Sequence, residues 1–288
     1  TAADCFAGVW LEGAAPAHIE LTVLAWFRQW LGLPTSAGGI LTSGGSEANL
    51  TALVAARERI PFSERHNLVL FVAEQRHWSI DRAAKIMGLH PSQVWPVPVA
   101  ADFRLRGASV LEASQRARQQ GKRPWAVVAN AGATNTGTID ALAEIAEVCR
   151  AENLWLHVDA AYGWSGVLLA EHAELSALAE ADSLTLDPHK WFAQPFDVGC
   201  VMLRDGRLLP ETFSLRPDYL QDVSPHGEEV NFADRGLALT RRFRALKIWL
   251  SVHVLGVEWF RKLVEHCCRL HRQAATELQP VFDPHQHH

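Results

Sequence analysis

The segments Leu154-Trp-Leu-His-Val-Asp159-Ala-Ala-Tyr162 and Ser183-Leu-Thr-Leu-Asp187-Pro-His189-Lys190-Trp191-Phe192 set the architecture of this chain. Each begins as a short apolar run of strand character and stops on charge, an acid in one and a His-Lys pair in the other. A carboxylate at the end of a buried run is costly without a cationic partner. An amine between an apolar strand and Trp191-Phe192 is expected to be partly desolvated, which favours its neutral, nucleophilic form. The two segments therefore read as opposite poles of one site.

Outward from this pair, short β-like runs alternate with helical ones. Strands are expected near 68–72, 93–97, 125–129, 154–158, 183–186 and 198–203, with helices over 78–88, 108–120 and 140–151. Earlier, residues 18–32 carry apolar side chains at helical spacing and stop at Gly32 and Pro34. A turn-rich stretch, 34–39, leads to the small-residue loop Thr42-Ser-Gly-Gly-Ser46 and straight into an Ala- and Leu-rich helix, 47–58. Alternation of this kind predicts an α/β fold, a largely parallel sheet with helices on both faces. Such sheets bind ligands at the carboxyl ends of their strands, where His77, Thr134, Asp159 and Lys190 fall. Residues 210–234 are polar and irregular, and two long helical patterns follow, around 236–254 and 257–279.

With 288 residues, 48% hydrophobic and 20% charged, the chain can bury a substantial core. A net charge of -5 and a pI near 6.3 give no bulk electrostatic reason for nucleic acid or an anionic membrane as partner. No apolar run approaches the roughly 18 residues of a membrane span, and residues 1–11 lack the pattern of a secretory signal. Five cysteines at irregular spacing argue against a disulfide framework or a zinc site and fit a reducing cytoplasm. A chain that starts at Thr1 and stops in Asp-Pro-His-Gln-His-His reads as partial.

Taken singly, each candidate residue has an ordinary explanation. Lys190 suits a surface, Asp159 a helix cap, Ser46 with Glu47 a helix start, Thr134 a turn, and His77 a surface position beside Trp78. Together they read as a pyridoxal phosphate site. The Lys190 amine can form a Schiff base with the cofactor aldehyde, and the Asp159 carboxylate can keep the pyridine nitrogen protonated, which makes the ring an electron sink. Small residues over 42–49 let backbone N–H groups approach a phosphate, and a flat His77 ring suits a cofactor face.

The runs TSGGSEANLTALVAARE, HWSIDRAAKIMGL, AGATNTGTID, HVDAAYG, DPHKWF and LTRRFRALKIWL occur in this order. They resemble the pyridoxal-phosphate-dependent group II amino-acid decarboxylases, which include the aromatic-L-amino-acid, glutamate, histidine and diaminobutyrate decarboxylases. The resemblance covers roughly residues 5–265. It implies the large domain of a fold-type-I transferase with a mostly parallel seven-stranded sheet over 1–255, and the start of a small carboxyl-terminal domain over 256–288. It implies Lys190 as the Schiff-base lysine, Asp159 as partner of the pyridine nitrogen, His77 stacked on the ring and Ala161 against the opposite face. Gly45, Ser46, Thr134 and His189 match positions that hold the phosphate or orient the cofactor. Asp187 stands where many relatives have Asn, and an acid there repels a phosphate unless it points away or is bonded to a backbone amide.

The reaction this resemblance implies is decarboxylation of an L-amino acid to the amine and carbon dioxide, carried out by a cytoplasmic homodimer. Dimerisation is expected also because the apolar segments 6–10 and 26–33 need covering, by a second copy or by the chain's own core. Aromatic-amino-acid members carry a mobile-loop tyrosine nine residues before the first Arg of RRFR; here that position is Phe232, and a phenyl ring gives up no proton. In the plant branch, Phe at this place goes with aldehyde synthases, which release an aldehyde, ammonia and peroxide. Aldehyde synthesis is therefore one alternative, unless another loop residue such as His226 donates the proton. The other is an inactive truncated remnant that binds cofactor, since relatives extend beyond both ends of this chain.

Overall fold

In the computed structural model, which describes residues 5–215 and 229–282, the alternating runs assemble into one seven-stranded sheet. Its strands are β1 (Gly38–Thr42), β2 (Leu68–Ala73), β3 (Val94–Val97), β4 (Arg123–Asn130), β5 (Trp155–Asp159), β6 (Ser183–Leu186) and β7 (Gly199–Leu203). The spatial order is β1-β7-β6-β5-β4-β2-β3. From β3 across to β6 all pairs are parallel, and β7 runs antiparallel to both β6 and β1. The sheet is thus mostly parallel, with β7 the one reversed strand. The helices are α1 (Trp10–Trp30), α2 (Gly45–Glu58), α3 (Ser79–Ile86), α4 (Gly107–Gln119), α5 (Leu142–Glu152), α6 (Leu208–Phe213), α7 (Ala245–Leu255) and α8 (Val257–Phe282).

Every residue of β2, β5, β6 and β7 is buried, which requires cover on both faces of the sheet. α2 packs over β5, β6 and β7, while α4 and α5 pack over β2 to β5. Each Leu, Val, Ile or Phe placed in this core contributes about 1.5–3 kcal/mol of transfer free energy. Among the described residues no helix is long and apolar enough to cross a membrane.

Three stretches depart from the sequence reading. Residues 38–42, whose ends the sequence reading gives to a turn (34–39) and a loop (42–46), form the edge strand β1, because the paired glycines hide its strand character. Gly39 is required there: a Cβ would lie 2.4 Å from the Val201 carbonyl oxygen on β7. α1 begins at Trp10, well before the expected 18, and bends at Gly13, which places Pro16 in the first turn after the bend, where its missing N–H matters little. The helix expected over 236–254 starts only at Ala245; the preceding segment runs through bends and is tied down by a buried contact of Arg241.

That contact joins distant parts of the chain. Arg241 Nη2 donates to Glu20 Oε1 at 2.7 Å and to the Leu41 carbonyl at 2.8 Å, and Nη1 donates to Ala7 O at 2.9 Å and Glu20 Oε2 at 3.1 Å. The Leu41 N–H in turn donates to Glu20 Oε1 at 2.9 Å. Phe232 is fully buried beneath the same guanidinium, 5.0 Å from ring centre to carbon.

The segments 6–10 and 26–33, expected to need a partner's cover, are largely satisfied within the chain. Ala7, Phe27 and Leu31 are buried, Trp30 packs on Phe27 and Phe192, and Trp26 meets His253 of α7. Exposed apolar side chains outside these segments include Leu250, Val254, Leu255 and Trp259 at the α7–α8 junction.

Candidate active site

The carboxyl ends of β1, β2, β4, β5 and β6 open onto one cleft of about 360 Å³. All nine residues singled out from the sequence line it: Gly45, Ser46, His77, Thr134, Asp159, Ala161, Asp187, His189 and Lys190. The sheet explains the convergence. Asn130, Asp159 and Thr185 are register partners on β4, β5 and β6, so the turns that follow these strands emerge side by side.

Asp159 ends β5 almost buried. Its Oδ1 accepts from the Ala161 N–H at 3.2 Å and its Oδ2 from Asn49 Nδ2 at 2.9 Å. Ala161 is fixed from its other side as well, since its carbonyl accepts from the Asp187 N–H at 3.2 Å. Gly45 and Ser46 open α2, whose first free N–H groups carry the positive end of the helix dipole. The turn is stapled by Ser43, whose N–H and hydroxyl donate to Glu47 Oε2 at 2.8 and 2.6 Å. Glycine is needed at 45, because a Cβ there would sit 2.9 Å from Asp187 Oδ2 and 3.3 Å from the Ala161 methyl. Thr134 is exposed at the mouth, on a loop anchored where the Asn130 N–H donates to the buried Asp140 carboxylate at 2.6 Å.

Lys190 is more than one third exposed, against the expectation of desolvation, because Phe192 rather than Lys190 takes the inward direction in this turn. Its Nζ lies 3.2 Å from Asp187 Oδ2. Asp187 thus faces the lysine amine and, at 3.5 Å, His189 Nε2, instead of a backbone amide. Burial pushes the Asp187 carboxyl up, and the charges of Lys190 and His189 pull against that. His189 is pushed down, chiefly by burial, and its Nδ1 accepts from the Val198 N–H at 3.0 Å.

Sequence reasoning missed Asn49, Ser79, Asn130 and Tyr162, which also line the cleft. A polar Asn inside the apolar turns of an Ala- and Leu-rich helix was the available signal for the first. His226 lies outside the described residues. Phe232 does not line the cleft, being in the core. Irregular cysteine spacing hid one convergence, in which donor atoms of Glu171, His172 and Cys268 lie within 4.8 Å of one another. Arg272 already sits 3.3 Å from that Glu171 carboxylate.

Comparison with known proteins decides the family. Residues 2–282 match the pyridoxal-dependent decarboxylase conserved domain. The chain belongs to the pyridoxal-dependent decarboxylase family. An aromatic-L-amino-acid decarboxylase from Bacillus atrophaeus is 43% identical over 282 residues, covering 97% of this chain and 59% of the relative. A phenylacetaldehyde synthase from Arabidopsis thaliana is 30% identical over 278 residues, 92% of this chain and 57% of that one. Among solved structures, Oryza sativa TDC with PLP and tryptamine superposes with a TM-score of 0.83 at 30% identity, over 89% of this chain and 56% of that chain. The chain therefore spans a little under three fifths of the length of these decarboxylase-family relatives.

One pH dependence follows from the wall behind the site. Burial pushes the His157 imidazole down to about 4, against the opposing influence of Asp159. The unfolded chain then takes up a proton near pH 6.5 that the folded chain refuses until about pH 4. Stability is expected to fall through that window by up to about 1.4 kcal/mol per pH unit. Urea unfolding midpoints across pH 4 to 7 measure it, and His157→Gln should remove that part of the slope.

Proposed function

We propose that this chain carries the pyridoxal phosphate apparatus of an L-amino-acid decarboxylase, and that the reaction releases the amine and carbon dioxide. The observation that carries this reading is the meeting of the Lys190 amine and the Asp159 carboxylate in one cleft beside the amino terminus of α2. The cleft suits that cofactor in size, falling in the range of small-molecule sites. It suits it in shape, since a Cβ on Gly45 would fill the cradle between Asp187 and Ala161. Its chemistry matches too: an amine for the aldehyde, an acid for the ring nitrogen, and backbone donors for the phosphate.

In this reading Lys190 tethers the cofactor aldehyde, and Asp159 holds the proton on the pyridine nitrogen. His77 covers one ring face and the Ala161 methyl the other. Gly45, Ser46, Thr134 and His189 hold the phosphate, and Asp187 steadies Lys190 and His189. Pyridoxal phosphate, when bound, supplies an electron sink for the pair released as the carboxylate leaves the substrate's α carbon. The negative Asp159 stabilises the charge that makes this sink effective, in a site already arranged before reaction. Three ring side chains in the cleft, His77, Tyr162 and His189, carry exchangeable protons for the return step. Residues 1–255 form the cofactor-binding unit and 256–288 begin a second one, consistent with the exposure of α8 over 269–279. The exposed face of Leu250, Val254, Leu255 and Trp259 supports a homodimer, and five free cysteines suit the cytoplasm.

A second reading, aldehyde synthesis, is favoured by the phenylacetaldehyde synthase relative and by Phe232. The burial of Phe232 beneath Arg241 weighs against giving that ring a part in the cleft. The test is a panel of L-amino acids offered to the cofactor-loaded chain, assayed for carbon dioxide, amine and peroxide. Equal carbon dioxide and amine without peroxide is the expected result. Stoichiometric peroxide selects the second reading, and no carbon dioxide from any amino acid leaves only an inactive, truncated cofactor-binding remnant.

A further inference from the structure

Behind the cleft lies a continuous chain of mostly buried polar groups that runs through two strands, β5 and β6, and two helices, α2 and α3. Trp155 Nε1 and Ser183 Oγ are 2.8 Å apart, as are Ser183 Oγ and His157 Nδ1. His157 Nε2 is 3.0 Å from Asn49 Oδ1. Asn49 Nδ2 reaches both Asp159 Oδ2 and Ser79 Oγ at 2.9 Å, and Ser79 Oγ is 2.7 Å from His77 Nδ1. His157 is wholly buried, and Asn49, Ser79 and Ser183 are at most 2% exposed, so solvent cannot substitute for the links among Ser183, His157 and Asn49; His77, at the cleft end, is half-buried.

The protons in this chain have one consistent assignment. Ser183 accepts from the Trp155 indole and could either accept from or donate to His157 Nδ1; the Asp159 carboxylate, which can only accept, decides for donation, because it draws an Asn49 N–H and so turns the Asn49 oxygen to His157 Nε2. That leaves the His157 proton on Nε2, where it meets the only acceptor of the Asn49 amide. The amide must then present both N–H bonds the other way, one to the Asp159 carboxylate and one to Ser79. Ser79, having accepted, donates its hydroxyl to His77 Nδ1, which also accepts the Ser79 backbone N–H at 3.3 Å. The His77 proton is thereby left on Nε2.

We propose that Asn49 is a positioning residue that ties Asp159 and His77 together, fixing the carboxylate's orientation and, with the Ser79 backbone N–H, the His77 tautomer, while Ser183 and His157 brace the direction of its amide. The inference deepens the reading of Asp159 and His77 as cofactor contacts. It does not depend on the cofactor being bound, because every link lies within the chain. A flipped amide would set Asn49 Oδ1 against the Asp159 carboxylate and Nδ2 against a ring nitrogen that already carries the proton. The two contacts therefore cannot be retuned independently.

Nitrogen-15 NMR of the cofactor-free full chain, with ring signals assigned through single His→Gln variants, tests this directly. His77 and His157 are both expected in the Nε2–H form. Finding either in the Nδ1–H form overturns the proposal without any variant having to fold. In Asn49→Leu, which removes the amide but keeps its bulk, the His77 ring signals should move although Asn49 does not touch His77. Unchanged His77 signals in a folded Asn49→Leu chain would also overturn it. Ser183→Ala, remote from the cleft, should shift the His157 and Asn49 side-chain signals; unchanged signals there would refute the upstream half. Cofactor binding is read separately, from the visible absorbance after loading, so failure of the cofactor reading and failure of the relay give different results.

Discussion

Arg241→Ala is expected to destabilise the chain by about 3–5 kcal/mol, the cost of leaving one member of a buried ion pair without the other. Glu20 is fully buried and Arg241 nearly so, so neither has water to turn to. The loss is compounded because the guanidinium also serves the Ala7 and Leu41 carbonyls. Urea unfolding followed by tryptophan fluorescence measures the change. The double variant Glu20→Leu with Arg241→Met should lose less than either single variant, since it abandons no charge in the core. A single-variant loss below about 1 kcal/mol, the range of exposed pairs, would show that the pair is not sealed from solvent.

Lys190→Ala should remove the chain's covalent hold on pyridoxal phosphate and lower decarboxylation by on the order of 10⁴-fold or more, the scale seen when a nucleophile or its base is deleted from other covalent enzymes. Borohydride reduction followed by peptide mapping reads the tether directly. The expected label lies at position 190 in the parent chain and is absent from the variant. Lys190→Arg should fail equally, for a guanidinium keeps the charge beside Asp187 but does not lose a proton to become a nucleophile. A label that persists elsewhere in the folded Ala variant would remove Lys190 from its assigned role.

Local runs that end abruptly are legible in the sequence itself. β5 and β6 announce themselves as apolar segments that stop on Asp159 and on His189-Lys190, and parallel packing brings those stops together. β1 was not readable, because Gly38-Gly39 looks like a turn until β7 is seen to need close approach there. Nor was the late start of α7: the helical period through 236–244 is not realised, and the segment is tied down by one arginine whose partner is 221 positions away. The hydrogen-bond chain through Asn49 was hidden for the same reason, since it closes across separations of 108 and 110 residues. Lys190 shows the limit of a local burial argument. Its neighbour Phe192 is buried, yet the turn sends the amine outward.

The joining of Glu20 to Arg241 also has a consequence for synthesis. A ribosome delivers the acid early and the base 221 residues afterwards, and the edge strand β1 meets its partner β7 only when residues near 200 have emerged. Throughout that interval the nascent chain carries an unpaired carboxylate beside an open strand edge, the kind of surface that recruits chaperones or aggregates. The burial of Glu20 and the pairing of β1 are therefore completed only after residue 241 has been made, which places the closing of this edge of the sheet late in the order of synthesis.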